Sequence, residues 1–278
     1  MSGPTDAIRT IVSAVPGGDA LKFRLAVWRL QRRRRRAWER ARVCVVSFPK
    51  SGRTWVNLML GQLAAVGPER TGDADLELDV PGVLFTHDDS DKPIQPLVVD
   101  AGRYAAKRVV FLVRDPRDVV ASYYVHRSRR DRTYGGSVSE FVRDAGYGIR
   151  RIVDFMNAWW RQRDRPAAFM LVRYEDMHLA PGPELARLAR FVGIEAGESR
   201  IAEAVRFGAF DNMLEMERQR RARDPRLRPA DVADRESYKV RRGEVGSWRH
   251  DIKLPEDQAF VEAVVTERLD RAFGYGTP

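Results

Sequence analysis

The sequence predicts an α/β fold in which a central, mostly parallel sheet is flanked by helices around a P-loop-like, nucleotide-binding core. Residues 43–48 form a short apolar run rich in β-branched residues, followed at once by a tight loop and a helical pattern over 53–66. Further short apolar runs alternate with helical patterns along the chain. Strands that alternate with helices are typical of a parallel sheet, and the strand–loop–helix opening is typical of nucleotide-binding sheets.

Composition limits the classes of protein that the chain can belong to. Its 278 residues are 44% apolar and 32% charged, which is ordinary for one large globular domain with an appendage. Cys44 is the only cysteine, so a disulfide framework and a cysteine metal cluster are excluded. The sequence has no apolar run typical of a signal peptide or a membrane span. We therefore expect a cytoplasmic protein in a reducing compartment.

The net charge of +10 is concentrated near the N-terminus. Residues 20–42 hold ten basic residues, including the run 32–36, and one acidic residue, so the remaining chain is nearly neutral. This distribution predicts an N-terminal extension, 1–42, with a basic amphipathic helix, and a domain over 43–278. The helix either packs on the domain with a solvated charged end or lies at an anionic lipid surface, as a peripheral membrane contact. The pattern does not favour a nucleic-acid partner for the domain.

The elements follow in order. We predict a helix over 20–40, strands at 43–48, Val83–Thr86, Arg108–Val113 and 168–172, helices over 53–66, 116–127 and 137–163, short helices to 217, a mobile loop at 218–237, a basic loop at 238–248 and a closing helix over 254–273. Asp115 can cap the helix that Pro116 begins.

The loop Pro49-Lys50-Ser51-Gly52 opens a helix and is suited to bind an anion. Backbone N–H groups at a helix start bind phosphate, and Lys50 adds a full charge. A Walker A loop would need glycine at positions 44 and 49, where this chain has Cys44 and Pro49. The loop is therefore too short to enclose a triphosphate in the Walker manner.

The stretch 49–55 resembles the 5′-phosphosulfate loop of the sulfotransferase family, whose donor is 3′-phosphoadenosine 5′-phosphosulfate (PAPS). The resemblance extends over roughly 43–273. It implies that Lys50 bridges the donor phosphate and the transferred group, and that PAP is the product, with no metal expected. Arg53 replaces the threonine often found at its position, a change that spares the loop's backbone donors. The donor-binding residues implied here are Lys50, Ser51, Gly52, Arg53, Thr54 and Trp55.

A second motif, 114–124, is similar to the family's 3′-phosphate motif. Arg114 leaves a strand end and Ser122 lies two turns into the next helix, so a guanidinium and a hydroxyl can converge on one phosphate. Taken alone, the segment is equally well explained as an Arg–Asp capping cluster. Arg241, Arg242 and Gly243 resemble the family's basic-glycine loop, with Arg242 in place of the usual lysine. Tyr174, Phe210 and Met213 match positions near the adenine, although Ala209 replaces a frequent serine there.

His87 follows a short strand between the two donor motifs, where the family places its catalytic histidine. A histidine suits the removal of the acceptor's proton near neutral pH. Asp88 or Asp89 could orient the ring or act as the base, and the sequence does not separate these alternatives. The resemblance thus implies in-line transfer of a sulfuryl group from PAPS to an acceptor hydroxyl or amine, with His87 and Lys50 as the catalytic residues.

The acceptor is left open as a small molecule, a lipid or a carbohydrate. The family builds its acceptor pocket from variable loops, here 67–100, 127–150 and 218–237. Tyr104, Tyr134, Phe141 and Tyr147 could line such a pocket or simply pack in the core. Two other hypotheses are a P-loop small-molecule kinase, which lacks its glycine pattern here, and a membrane or nucleic-acid adaptor built on the basic helix, which leaves the two donor motifs unexplained.

Overall fold

The computed structural model describes residues 17–64, 80–88, 90–220, 231, 234–241 and 243–276. It separates into two units, Met1–Ala41 and Arg42–Pro278. The first unit contains helix α1 (Gly17–Arg40), which begins three residues before the predicted start. Phe23, Leu25 and Trp28 on this helix are exposed. In the described ranges, no helix is both long and apolar enough to cross a lipid bilayer.

The second unit is built on a parallel sheet. In the described chain its strands are β1 (Val43–Val46), β2 (Val83–Thr86), β3 (Arg108–Val113) and β4 (Ala168–Arg173). Their order is β2-β1-β3-β4, and each neighbouring pair is parallel. The predicted parallel α/β sheet is therefore confirmed, with β1 two residues shorter and β4 one residue longer than expected. The chain moves to opposite sides of β1 to form β2 and β3, which creates a crevice at the carboxyl ends of the strands.

Helices cover both faces of the sheet, as its near-continuous apolar strands require. On one face, buried residues of β1, such as Val43 and Val45, share a core with Met59 of helix α2 (Arg53–Ala64). On the other face, the ring of Phe111 stacks on Trp159, with centroids 5.7 Å apart. Cys44 is fully buried, and burial raises the pKa of its thiol to about 11, so this cysteine is unreactive at neutral pH.

The remaining helices lie between and after the strands. They are α2 (Arg53–Ala64), α3 (Pro116–Val125), α4 (Val138–Arg143), α5 (Ile149–Arg161), α6 (Tyr174–Leu179), α7 (Pro181–Val192), α8 (Glu198–Phe207), α9 (Phe210–Arg220) and α10 (Pro255–Arg268). Asp115 caps α3 by accepting from the Arg117 N–H at 2.9 Å, as predicted.

The predicted single helix over 137–163 is wrong, because the chain breaks between α4 and α5. The Asp144 carboxylate accepts hydrogen bonds from the N–H groups of Gly146 at 2.7 Å and Tyr147 at 2.9 Å, which forms a local turn instead of a helical turn. The chain then passes so close to itself that a Cβ on Gly148 would lie 2.5 Å from the carbonyl oxygen of Asp144.

Two other helix ends differ from the prediction. After α3 the chain forms a π-helical turn, His126–Arg130. The closing helix ends at Arg268, and a short turn capped by Asp270, Arg271–Phe273, follows it. Most of the predicted mobile loop, 221–230 and 232–233, lies outside the described residues, but its first residues belong to α9 and its last residues form the turn Arg235–Ser237, capped by Asp234.

Candidate active site

Each strand of the sheet ends beside one predicted functional residue. Lys50, His87, Arg114 and Tyr174 follow β1, β2, β3 and β4, respectively. Because the strands are parallel, their carboxyl ends meet at the same edge, and all four residues line one cavity of about 490 Å³. Four segments that are far apart in the sequence thus contribute to a single site.

Most of the other predicted site residues line the same cavity. They are Gly52, Arg53, Thr54, Trp55, Ser122, Phe210, Met213, Arg241 and Gly243. Ser51 is 2% exposed and is not part of the cavity wall. Arg242 lies outside the described residues.

The loop between β1 and α2 has a strained backbone. Lys50 has a φ of +73° and Gly52 a φ of +93°, both in the left-handed region, which a lysine rarely adopts. A Cβ on Gly52 would lie 2.5 Å from Cδ2 of Tyr174, so only glycine fits there. Strain of this kind concentrates at functional sites, where the surrounding structure stabilises it.

Lys50 lies in a strongly electropositive environment. Within the described part of the chain, its ammonium group has no hydrogen-bond or ion-pair partner. Burial, reinforced by the positive charges of Lys239, Arg130, Arg241 and Arg114, lowers its pKa to about 7. An anion in the cavity would favour the charged form of this lysine.

His87 is held in one orientation by the backbone. Its Nδ1 lies 2.8 Å from the carbonyl oxygen of Ser47, which can only accept, so Nδ1 carries the proton and Nε2 is the basic nitrogen. Burial and the positive charge of Arg53 lower the pKa of His87 to about 4. The imidazole is therefore neutral at pH 7 and able to accept a proton.

The structure describes one of the two aspartates that follow His87. Asp88 is buried, and its Oδ1 accepts a hydrogen bond of 2.6 Å from the Tyr104 hydroxyl. The group that orients His87 is the Ser47 carbonyl, and the Asp88 carboxylate is engaged with Tyr104. Asp89 lies outside the described residues.

Arg114 is held beside the cavity by a buried carboxylate. Its Nη2 donates to Asp118 Oδ2 at 3.2 Å and to the carbonyl oxygen of Glu244 at 2.9 Å. Its Nε is buried and has no hydrogen-bond partner in the described structure. An unsatisfied buried N–H is costly, and an anionic ligand would satisfy it.

Two buried carboxylates fix the basic segments 239–241 and 243–248, which line one wall of the cavity, called here the basic wall. Asp118 accepts from the N–H groups of Gly246 at 2.8 Å and Trp248 at 3.0 Å. Glu217 accepts from the N–H groups of Lys239 at 2.7 Å and Val240 at 2.8 Å. Both carboxylates also pair with an arginine, Asp118 with Arg114 at 3.2 Å and Glu217 with Arg130 at 3.1 Å. The basic wall is thereby attached at both ends.

Aromatic side chains line the part of the cavity around Tyr174. The Tyr174 ring lies 5.5 Å from Trp55 between centroids, and the Arg114 guanidinium carbon lies 4.3 Å from the centroid of the same tyrosine. Gly243 has a φ of +69°, and a Cβ there would collide with the Phe210 ring. The flat faces of these aromatic rings suit the binding of a planar heterocyclic ring.

Several residues of the cavity wall, His126 and Lys239 among them, were not predicted as site residues. His126 lines the cavity from the π-helical turn, and burial together with the charge of Lys50 lowers its pKa to about 2. His126 lies one helical turn after Ser122, and this helical spacing could have placed it next to that predicted site residue. Lys239 also lines the cavity, at the start of the basic loop.

Of the four aromatics considered as acceptor contacts, two are core residues and two are partly exposed. Tyr104 and Phe141 are fully buried, and Tyr134 and Tyr147 pack around Phe141 with ring centroids 4.9 and 5.4 Å away. None of them lines the cavity. Across the described ranges there is also no group of three or more His, Cys, Asp or Glu residues placed to hold a metal ion.

Comparison with known proteins identifies one family. A family model described as "Sulfotransferase domain" matches residues 40–273. Cytosolic sulfotransferase 17 of Arabidopsis thaliana is 24% identical over 256 residues, covering 81% of this chain and 73% of the relative. Rat sulfotransferase 1C2 is 24% identical, covering 78% and 80%. Mouse sulfotransferase 4A1 is 32% identical over 104 residues, so the chain spans only 36% of that relative's length.

Solved structures agree on the fold. A mouse sulfotransferase, SULT7A1, complexed with PAP, has a TM-score of 0.58 at 19% identity, covering 85% of this chain and 86% of its own. A retinol dehydratase complexed with androsterone and PAP has a TM-score of 0.58 at 17% identity, covering 81% and 80%.

Proposed function

Since this chain belongs to the sulfotransferase family, as the family match over residues 40–273 shows, we propose that it transfers a sulfuryl group from PAPS to an acceptor hydroxyl or amine. One observation carries the proposal. The two anion-binding segments, 50–55 and 114–122, come from different strand ends and line the same cavity. A donor with phosphates at both its 3′ and 5′ positions needs such a pair of segments.

The residues of the cavity fit this donor. Lys50 and the backbone of the loop before α2 would hold the 5′-phosphosulfate, with the loop glycine allowing close approach. Arg114, whose Nε is unsatisfied, and Ser122 would hold the 3′-phosphate. Arg241 would add positive charge at the same end. These assignments are supported by the positions of the side chains and by the family's motifs.

The remaining donor contacts would surround the adenine. Tyr174, Trp55, Phe210 and Met213 line one part of the cavity with flat or flexible apolar surfaces, which suit a purine ring. Gly243 lets the basic loop approach the Phe210 ring closely.

The chemistry requires a base and a cation. When bound, PAPS supplies a sulfuryl group whose bond to the 5′-phosphate oxygen breaks as the acceptor oxygen or nitrogen bonds to sulfur. Nε2 of His87 accepts the proton of the acceptor, since its Nδ1–H is committed to the Ser47 carbonyl. The ammonium of Lys50 stabilises the negative charge that develops on the leaving oxygen.

A small-molecule kinase is the weaker alternative. Kinases of the P-loop class need a glycine pattern that Cys44 and Pro49 do not provide, and they hold magnesium through carboxylates. Family membership favours sulfuryl transfer instead.

Mass spectrometry tests the reaction directly. Extracts of small molecules, incubated with the protein and isotopically labelled PAPS, should contain products heavier by one labelled sulfuryl group. The His87→Ala variant should form these products far more slowly. Equal product formation by this variant would move the role of base to another group, whereas no product with well-folded wild type that binds PAP would contradict the proposed function.

We propose that the acceptor is a small molecule, which can be a lipid or a carbohydrate, and that it binds in the same cavity as the donor, next to His87. Of the loops expected to shape the acceptor pocket, residues 67–79, 89, 221–230 and 232–233 lie outside the described chain. His126, which immediately precedes the loop 127–150, lines the cavity.

We also propose a cytoplasmic location with a peripheral membrane contact through residues 20–42. It is supported by the exposure of Phe23, Leu25 and Trp28 on the same helix as the basic run. Each basic group near an anionic surface contributes about 1 kcal/mol. The full chain should float with phosphatidylserine vesicles, and a chain lacking 1–42 should not. Equal behaviour of the two would end this proposal.

A further inference from the structure

A closed cycle of contacts, called here the Asp115 cluster, surrounds the residue that follows Arg114. The Asp115 N–H donates to Glu175 Oε1 at 2.9 Å, and Glu175 Oε2 accepts from the Tyr275 hydroxyl at 2.5 Å. On the other side, the Asp115 carboxylate accepts from the Arg117 guanidinium at 2.7 Å, and that guanidinium also donates to the Tyr275 carbonyl oxygen at 3.2 Å. Tyr275 therefore holds Asp115 from two sides, through its hydroxyl and through its carbonyl.

Tyr275 is the member of the Asp115 cluster that comes from a distant part of the chain. It follows α10 and the turn Arg271–Phe273, and it is 6% exposed. The guanidinium carbon of Arg173, the last residue of β4, lies 4.5 Å from the centroid of the Tyr275 ring. A buried tyrosine hydroxyl usually needs a partner, and the Glu175 carboxylate is that partner here. Tyr275 thus packs against the carboxyl ends of two neighbouring strands, β3 and β4.

The Asp115 cluster lies outside the cavity wall but next to it in the chain. None of its four residues lines the cavity, whereas Arg114 precedes one of them and Tyr174 precedes another, and both of these line it. The hydrogen bond between Asp115 and Glu175 therefore joins the backbone of two cavity segments. These segments place the Arg114 guanidinium carbon 4.3 Å from the centroid of the Tyr174 ring. A guanidinium binds phosphate well only in a defined geometry, so the position of this backbone matters for the ligand.

We propose that Tyr275 and Glu175 are positioning residues for nucleotide binding, which hold the backbone beside Arg114 so that its guanidinium meets the 3′-phosphate of the donor. The proposal rests on the proposed function, because it deepens the assignment of that phosphate to Arg114. The Arg114 side chain also donates to Asp118 and to the Glu244 carbonyl, so loss of the Asp115 cluster weakens 3′-phosphate binding without abolishing it. The 5′-phosphate is assigned to the loop after β1, on a different strand, so the two ends of the nucleotide respond differently.

Two variants that each remove one link of the Asp115 cluster test the proposal. Tyr275→Phe deletes one hydroxyl and keeps the aromatic ring, and Glu175→Ala deletes the carboxylate between that hydroxyl and the Asp115 N–H. Tyr124→Phe is the matched control, because the Tyr124 hydroxyl donates to the Gly136 carbonyl oxygen at 3.4 Å and this residue does not line the cavity. Each folded protein is titrated calorimetrically with PAP and with adenosine 5′-phosphate, which lacks the 3′-phosphate.

We expect the wild type and Tyr124→Phe to prefer PAP by the same factor. Tyr275→Phe and Glu175→Ala should bind PAP about tenfold more weakly, while their affinity for adenosine 5′-phosphate changes by less than about threefold. Tyr275→Phe decides the question alone if Glu175→Ala does not fold.

Three results would overturn the proposal: an unchanged preference for PAP in Tyr275→Phe, equal losses for both nucleotides in that variant, or the same loss of preference in Tyr124→Phe. Equal losses are what a purely structural role of the Asp115 cluster would produce. Failure of the folded wild type to bind PAP, or to prefer it, would instead contradict the proposed function itself.

Discussion

At the scale of single residues, the proposed chemistry depends on the protonation of two side chains in one cationic cavity. His87 is neutral because burial and Arg53 oppose its charge, and its proton is fixed on Nδ1 by the Ser47 carbonyl. Lys50 is close to losing its proton at neutral pH when no anion is present. The same positive surroundings therefore keep His87 unprotonated and attract an anion to the cavity beside Lys50.

Replacing His87 by alanine should separate chemistry from donor binding. Loss of a general base lowers turnover by about 10²- to 10⁴-fold. PAP affinity should stay within about threefold of the wild type, because the proposed role of the imidazole is at the acceptor and not at the nucleotide. Turnover is measured with labelled PAPS and affinity by calorimetry. If the His87→Ala variant stays active, another group acts as the base. Asp88 already accepts a hydrogen bond from the Tyr104 hydroxyl.

The affinity for PAP should depend on pH through Lys50. In the empty cavity its pKa is about 7, so above pH 7 the free protein loses the ammonium that the nucleotide needs. The bound anion raises this pKa, so PAP affinity should fall as pH rises above 7, by up to about tenfold per pH unit. Calorimetry between pH 7 and 9 measures the slope. Lys50→Ala should flatten it, and an unchanged slope in that variant would assign the titration to another group.

At the scale of elements, the site is produced by four parallel strands that end at one edge and by a basic segment attached across it. Asp118 lies on α3, yet it holds the backbone of Gly246 and Trp248 as well as the Arg114 side chain. The Asp118 carboxylate therefore positions both Arg114, a proposed phosphate contact, and the backbone of the basic loop at Gly246 and Trp248.

Asp118→Asn should weaken donor binding more than catalysis at saturating donor. An amide cannot accept three hydrogen bonds in the same geometry, so Arg114 and the loop should lose their fixed positions. We expect the KM for PAPS to rise about tenfold, with kcat changed by less than about threefold. Steady-state kinetics measure the two separately, with Glu184→Gln, an exposed ion-pair variant, as control. A fall in kcat alone would contradict the positioning role.

The elements also show which features the sequence could predict. The strands, the cap by Asp115 and the placement of Lys50, His87, Arg114 and Tyr174 at strand ends follow from local patterns, because apolar runs and caps act over a few residues. The break between α4 and α5 was missed, since it depends on the Asp144 carboxylate bonding to the backbone at Gly146 and Tyr147.

At the scale of the whole molecule, the features that could not be predicted are the long-range ones. The attachment of the basic wall through Glu217 joins residues more than twenty positions apart in the sequence. Similarity to the family gives the fold and the donor motifs, whereas such contacts appear only when the chain is folded.

The whole account depends on one claim, that segments 50–55 and 114–122 bind opposite ends of the same nucleotide. Calorimetry with PAP and with adenosine 5′-phosphate, which lacks the 3′-phosphate, tests it most directly. We predict that the wild type prefers PAP, that Lys50→Ala weakens both ligands about 10- to 100-fold, and that Arg114→Ala weakens PAP alone by a similar factor. Equal affinity of the folded wild type for both ligands, or equal losses for both in Arg114→Ala, would contradict the claim.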